Sequence, residues 1–306
     1  MKNKIIIIAG PTASGKTAIS LELAKEFNGE IVSADSMQVY KTLDINTAKA
    51  TVEEQNIVKH HLIDVVRPED NFDVTTYTAL AKEAINDIIS RGKTPIVVGG
   101  TGMYIKSLLY TQSFGGAEKD ESIRKKYTEY LKEFGQVALH DLLKKVDPIS
   151  AEEIHHNNTK RVIRALEIYD ITGKTKSSQK DSKTPANYDY LMFVLDIPRD
   201  TLYERINLRV SKMIELGAVQ EAKIVKSLNL EDDSQCLQAI GYKEFFPYLD
   251  GQKTLEQVTE DLSKATRNYA KRQLTYFRSF VDAKWYNPLS QKNEIIKAAK
   301  EFLCCK

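Results

Sequence analysis

Eight residues near the start, Gly10-Pro-Thr-Ala-Ser-Gly-Lys-Thr17, constrain this chain more than any other segment. They follow an apolar run, Lys4 to Ala9, that reads as a buried strand. They precede Ala18 to Phe27, which reads as a helix. In that setting the pattern G-x-x-x-x-G-K-[ST] is a phosphate loop. Its glycines let backbone N–H groups turn inward on a phosphate, and the helix N-terminus adds its positive end. Gly10, Pro11, Thr12, Ala13, Ser14, Gly15, Lys16 and Thr17 are thus the candidate phosphate binders. Lys16 supplies a point charge, and the Thr17 hydroxyl is a candidate ligand for Mg²⁺.

The rest of the chain supplies the sheet such a loop needs. Glu30 to Ala34 reads as a second strand, Pro95 to Val98 as a third. Between them, Ala81, Ala84, Ile85, Ile88 and Ile89 recur at helical spacing within Thr78 to Ser90. Alternating strands and helices predict an α/β fold with a parallel sheet flanked by helices, of the P-loop NTPase-like kind. The pattern changes after residue 114. From Gly115 to Lys183 only polar helical sequence appears, and Lys174 to Pro185, rich in Lys, Ser and Thr, reads as a loop. A strand returns at Tyr190 to Ile197, followed by long amphipathic helices. The expected organisation is a catalytic core of residues 1–114 and 186–306, interrupted by an all-helical insertion domain at 115–185.

Composition excludes several classes. With 306 residues, 42% of them hydrophobic and 28% charged, the chain buries a sizeable core. No apolar run approaches membrane-spanning length, and Ile5 to Ala9 is too short for a secretory core. Three cysteines, Cys236, Cys304 and Cys305, make neither a disulfide framework nor a metal-ligand spacing. A cytoplasmic monomer is the expectation. Net charge is only +2, so any surface for a polyanion must be local. One such surface is legible: Lys264 to Arg278 holds five basic residues and no acid. Lys264, Arg267, Lys271 and Arg278 fall within roughly 60° of one another on a helix, with Tyr269, Tyr276 and Phe280 opposite.

Two further segments belong to the crevice outside the strand ends, where open α/β sheets bind ligands. The first is Ser33-Ala-Asp35-Ser36-Met37-Gln38-Val-Tyr40. Asp35 is either a carboxylate at the reacting centre or a cap for the next turn. The second is Gly99-Gly-Thr101-Gly-Met-Tyr104, whose glycines imply close backbone approach or positive φ. A nucleotide kinase would be the default owner of a phosphate loop. It wants an acid at the end of a hydrophobic strand, however, and Thr94 to Thr101 offers none.

These segments together resemble the tRNA dimethylallyltransferases. The resemblance continues through His60-His-Leu-Ile-Asp64, Arg161-Val-Ile-Arg-Ala-Leu-Glu167, Gln238-Ala-Ile-Gly-Tyr-Lys-Glu244 and Thr266-Arg-Asn-Tyr-Ala-Lys-Arg-Gln273, in the family's order and over nearly the whole chain. It implies transfer of a dimethylallyl group from dimethylallyl pyrophosphate to the exocyclic amine of the adenosine beside the anticodon, in tRNAs reading codons that begin with uridine. The phosphate loop then holds pyrophosphate, with Mg²⁺ at Thr17. Asp35 would be the general base, and Thr101 would position the substrates. The same resemblance assigns tRNA contacts to Asp35, Ser36, Met37, Gln38, Thr101, Arg124, Arg161, Arg164, Gln238, Gly241, Lys243, Arg267 and Lys271. His60 and His61 read as structural. Lys223 stands where many relatives carry an arginine, a candidate pyrophosphate contact that lacks the guanidinium fork. The competing readings are a small-molecule kinase, a prenyltransferase of free adenine nucleotides, and a non-catalytic RNA-binding adaptor.

Overall fold

The computed structural model describes residues 2–110, 117, 119–179, 188–231 and 234–305. By internal packing the chain divides into two units, Met1–Leu109 with Asn187–Lys306, and Tyr110–Ala186. The boundaries expected at 114–115 and 185–186, and the end of the expected loop at 180–185, lie outside the described residues.

The first unit is built on six parallel strands in the order β3-β2-β4-β1-β5-β6. They are β1 (Asn3–Ala9), β2 (Gly29–Ser33), β3 (His60–His61), β4 (Thr94–Gly99), β5 (Tyr188–Leu195) and β6 (Lys284–Tyr286). Ile5 through Ile8 are fully buried, the continuous apolar run of a strand covered on both faces. On one face, Ile6 and Ile8 pack against Ile19 and Leu23 of α1 (Lys16–Glu26) and Ile295 and Ala299 of α12 (Lys292–Cys304). Helix α3 (Val74–Ser90) packs on β2 and β4, and α4 (Gly102–Leu109) on β4. The four strands expected from sequence are all present. Strands β3 and β6 were not foreseen, because edge strands of two and three residues carry too little pattern. In consequence the expectation of helices alone after Ile197 is corrected: β6 pairs with β5, Val194 opposite Trp285.

Register brings the candidate segments together. Ala9 lies opposite Gly99, and Ser33 opposite Val98, so β1, β4 and β2 end side by side. Parallel pairing puts the following loops on one edge of the sheet. Further helices of this unit are α8 (Arg199–Glu215), α9 (Ala218–Ser227), α10 (Phe246–Leu249) and α11 (Leu255–Phe277). The short α2 (Val52–Ile57) begins with a capping box from Thr51 and Glu54.

The regular elements among the second unit's described residues are all helices: α5 (Glu121–Val146), α6 (Pro148–Glu153) and α7 (Thr159–Thr172). Asp120 caps α5 by accepting from Ser122 and Ile123 N–H groups, and Gly135, at φ 81°, breaks that helix in its middle. Tyr127, Leu139, Leu143, Ile154, Val162 and Leu166 form a core of its own. Beside it, Glu167 is fully buried and accepts from Arg124, Arg164 and the Asp120 N–H. Among the described residues, no helix is long and apolar enough to cross a membrane.

Candidate active site

The phosphate loop turns from β1 into α1 through Gly15, whose φ of 95° at the helix N-cap is a left-handed conformation that suits glycine. Lys16 folds back over the loop, its Nζ donating to the carbonyls of Gly10 (3.0 Å) and Pro11 (2.7 Å). Burial pushes the ammonium down to about 8, opposed by the attraction of Asp35. Ser14 Oγ is buried with no hydrogen-bond partner among the described residues.

Asp35 stands just past β2 and shares one pocket with Lys16, Thr17, Ser33, Gln38 and His60. Its Oδ1 accepts from the Met37 N–H at 2.9 Å, so the local capping role and the crevice position hold together. Burial raises its carboxyl above the usual aspartate range; the Met37 N–H, then the charges of Lys16 and Arg209, pull the other way. Thr101 follows β4 and reaches the same segment. Its Oγ1 accepts from the Ser36 N–H at 3.0 Å and lies 3.3 Å from Ser36 Oγ.

Close approach, not positive φ, explains the glycines around Thr101. A Cβ on Gly99 would sit 2.0 Å from the Ala34 carbonyl oxygen. One on Gly100 would sit 2.1 Å from Gln273 Nε2, and one on Gly102 would sit 2.2 Å from Tyr276 Cδ1. The motif lets β2 and α11 press against the end of β4. Gln273 then ties two site segments together: its Oε1 accepts from the Thr12 N–H and its Nε2 donates to the Gly100 carbonyl, both at 3.0 Å. Tyr269, one turn earlier, is pushed up by burial and by the nearby Asp35 charge. Tyr269 therefore stands close enough to Asp35 to feel its charge.

Arg209 of α8 was missed. Its Nη1 donates to Thr12 Oγ1 at 2.9 Å, and its charge acts on both Lys16 and Asp35. Nothing in the sequence sets it apart from the other arginines of a polar helix. Lys223 is exposed on α9, while the guanidinium that touches the loop comes from Arg209 of α8. Gln273 was within reach, since it ends the segment Thr266 to Gln273.

Several expected RNA contacts find internal partners. The Gln38 amide accepts from Ser33 Oγ (3.2 Å) and donates to the Ala48 carbonyl (3.3 Å), which orients it at the wall of the pocket. Gly241 is needed where it is because a Cβ would stand 2.6 Å from Asn46 Oδ1. Its neighbour Tyr242 donates to buried Glu221, which also accepts from the N–H groups of Asp44, Ile45 and Asn46. Gln238 is exposed, and Lys243 is half-buried in the same segment. Within the helical unit, Arg124 and Arg164 are engaged by Glu167, and Arg164 also donates to the Ala117 carbonyl. The expected basic pair of Arg161 and Arg164 is thus split, with Arg161 alone exposed. On α11, Arg267 donates to Asn207 and, like Lys271, approaches the Tyr203 ring.

Comparison with known proteins agrees with this geometry. Residues 38–280 match the IPP transferase family. The chain is 46% identical to the tRNA dimethylallyltransferase of Halalkalibacterium halodurans over 289 residues, 94% of this chain and 92% of that protein. It is 44% identical to that of Acetivibrio thermocellus over 305 residues, 98% and 97% respectively. A solved tRNA isopentenylpyrophosphate transferase from Bacillus halodurans superposes with a TM-score of 0.71 at 42% identity, covering 99% of this chain and 98% of that one. A eukaryotic dimethylallyltransferase acting on tRNA gives 0.83 at 31% identity, over 98% of this chain and 79% of its own. With a phosphate loop, an aspartate and a threonine converging at one sheet edge and relatives matched over nearly the full length, the chain belongs to the IPP transferase family, the tRNA dimethylallyltransferases.

Proposed function

We propose that this protein moves a dimethylallyl group from dimethylallyl pyrophosphate to the exocyclic amine of the adenosine next to the anticodon, in tRNAs reading codons that begin with uridine. The observation that carries this reading is the meeting of Asp35 and Lys16 in one pocket. A proton acceptor and a pyrophosphate-binding cation serve the two ends of one substitution. The allylic C1–O bond breaks as the N6–C1 bond forms. The electron pair leaves on pyrophosphate, and the amine proton passes to the Asp35 carboxylate.

Adenine's exocyclic amine is a weak nucleophile because its lone pair is delocalised. Removing its proton during attack typically contributes about a hundred- to ten-thousand-fold. The raised Asp35 carboxyl makes a stronger base than an exposed aspartate. Negative charge developing on the leaving pyrophosphate meets Lys16, Arg209 and the loop N–H groups. Ser14 Oγ, buried without a partner among the described residues, is a donor that a phosphate oxygen would satisfy. Thr101, held against Ser36, fixes the segment carrying Asp35.

The pocket suits Mg²⁺, since Thr17 and Asp35 offer hard oxygen donors. No cluster of three or more His, Cys, Asp or Glu side chains is placed to cage a metal among the described residues. A cation bound here would take Thr17 as its protein ligand and draw the others from phosphate and water, neutralising leaving-group charge. For the acceptor, the target base must leave its stack, which costs a few kcal/mol and least in an anticodon loop. Arg161, Arg267 and Lys271 are the exposed or half-exposed cations suited to flanking phosphates.

Incubation with Mg²⁺, labelled dimethylallyl pyrophosphate and either unmodified tRNA or AMP tests the proposal. Label in tRNA at the adenosine beside the anticodon is the expected result. Label in AMP alone, or none in either, refutes it.

A further inference from the structure

The rim beside the phosphate loop holds a second cluster of cations. Tyr203 of α8 belongs to a small apolar cluster with Ala13 of the loop and Ala270 and Leu274 of α11. Three cations converge on its ring. Arg199 Nε donates to the Tyr203 hydroxyl at 2.9 Å, and its guanidinium lies 5.2 Å from the ring centroid. Arg267 and Lys271, one turn apart on α11, each lie 5.9 Å from it. Arg267 also donates to Asn207 Oδ1 at 2.6 Å.

Three like charges this close repel one another. The ring's quadrupole and the phenol oxygen hold them at modest gain, about 0.5–1 kcal/mol per exposed contact. Among the described residues no ion pair joins any of the three to a carboxylate, although Asp200 and Glu204 lie on the same helix. The cluster therefore keeps a net positive field at the surface. Farther along α8, Arg205 carries a buried Nη1 with no hydrogen-bond partner among the described residues, and Arg209 touches Thr12. Arginines thus recur along α8 from exposed Arg199 to Arg209 at the loop, with Asp200 and Glu204 interspersed.

We infer that Tyr203, Arg199, Arg267 and Lys271 form a phosphate clamp for the RNA backbone, distinct from the pyrophosphate loop, that holds a strand at the entrance of the pocket. This rests on the reading that the acceptor is RNA. The donor's two phosphates have the buried loop, whereas the Tyr203 cluster is open to solvent and its cations are spread over two helices, which suits a polymer passing across. Tyr203 acts by arranging the cations, with its ring serving as their common support.

The test uses the full chain with unmodified tRNA and dimethylallyl pyrophosphate. In Tyr203→Ala and Arg199→Gln the Kd for tRNA rises five- to twentyfold. The slope of log Kd against log salt falls by about 0.7 for each single-strand phosphate that the variant no longer neutralises. Tyr203→Phe, which keeps the ring and removes the acceptor for Arg199, falls between wild type and Tyr203→Ala. The KM for dimethylallyl pyrophosphate stays within twofold in all three, and unchanged melting temperature shows that the variants fold. An unchanged salt slope in a folded Tyr203→Ala overturns the clamp while transfer by the wild type leaves the proposed function standing. A raised KM for the donor with unchanged tRNA affinity also overturns it, assigning the cluster to pyrophosphate. Failure of the wild type to bind tRNA removes both readings at once.

Discussion

Replacing Gln273 with leucine isolates the bond that ties the phosphate loop to the end of β4. Gln273 is 6% exposed and makes one hydrogen bond to each segment, through Thr12 N–H and Gly100 C=O. Leucine of similar volume keeps the packing and leaves both backbone groups without their partner. An orphaned buried group costs about 1–3 kcal/mol. Thr12 is half-exposed and recovers part of this from water, so the combined cost is about 3 kcal/mol. For a protein of this size that lowers the melting temperature by about 6 °C. The loop's Thr12 side chain also accepts from Arg209, so loosening it displaces Thr12 and Arg209 together. The KM for dimethylallyl pyrophosphate is expected to rise about tenfold, equivalent to about 1.4 kcal/mol, with kcat changed far less. Calorimetry and steady-state kinetics with saturating tRNA measure the two effects. Gln273→Glu keeps the acceptor for Thr12 but removes the donor to Gly100 and brings negative charge to an anion site. It should melt no higher than Gln273→Leu, because a buried carboxylate oxygen then faces the Gly100 carbonyl, and bind the donor worse. A normal KM in a destabilised Gln273→Leu would refute the coupling between this bond and the loop.

Three other perturbations test separate parts of the structure. Because burial raises the Asp35 carboxyl and Arg209 opposes that rise, Arg209→Gln should move the acid limb of the kcat/KM profile to higher pH; a shift to lower pH contradicts the assigned proximity. Glu30, 2% exposed, is held well below the usual glutamate range, chiefly by Arg91 and then, against the cost of burial, by Lys93 and His61. Its contribution is present above the unfolded value of about 4.3 and disappears as pH falls. Urea melts of Glu30→Gln at pH 7 and pH 3 should then differ less than those of wild type, and an equal difference would remove Glu30 from the acid dependence. Arg124→Gln leaves the fully buried Glu167 with Arg164 as its one remaining guanidinium and should destabilise the helical unit by on the order of 3 kcal/mol. Its tRNA salt slope should not change, and a flattened slope would instead support the tRNA contact that the resemblance implies for Arg124.

What could be read from the sequence was whatever the backbone must do locally, and what could not was whatever depends on a side chain from elsewhere. Gly10 to Thr17 announced its conformation because a strand, an anion-binding turn and a helix N-terminus are all short-range. The long apolar strands announced a parallel sheet for the same reason, while His60–His61 and Lys284–Tyr286 were too short to show a period. Asp35 and Thr101 were legible as crevice residues because strand ends define the crevice, but their contact through Ser36 is a product of register between β2 and β4. Charge was the poorest guide. Arg124, Arg164 and Arg209 look alike in the sequence, yet two grip a buried glutamate and the third reaches Thr12 across 197 residues of chain. An arginine's function is set by the acid or anion it finds, and only folding decides which that is. Gly99, Gly100 and Gly102 make the complementary point. Their absent side chains admit Ala34, Gln273 and Tyr276, so the residues that shape the site most tightly are those that leave room for others.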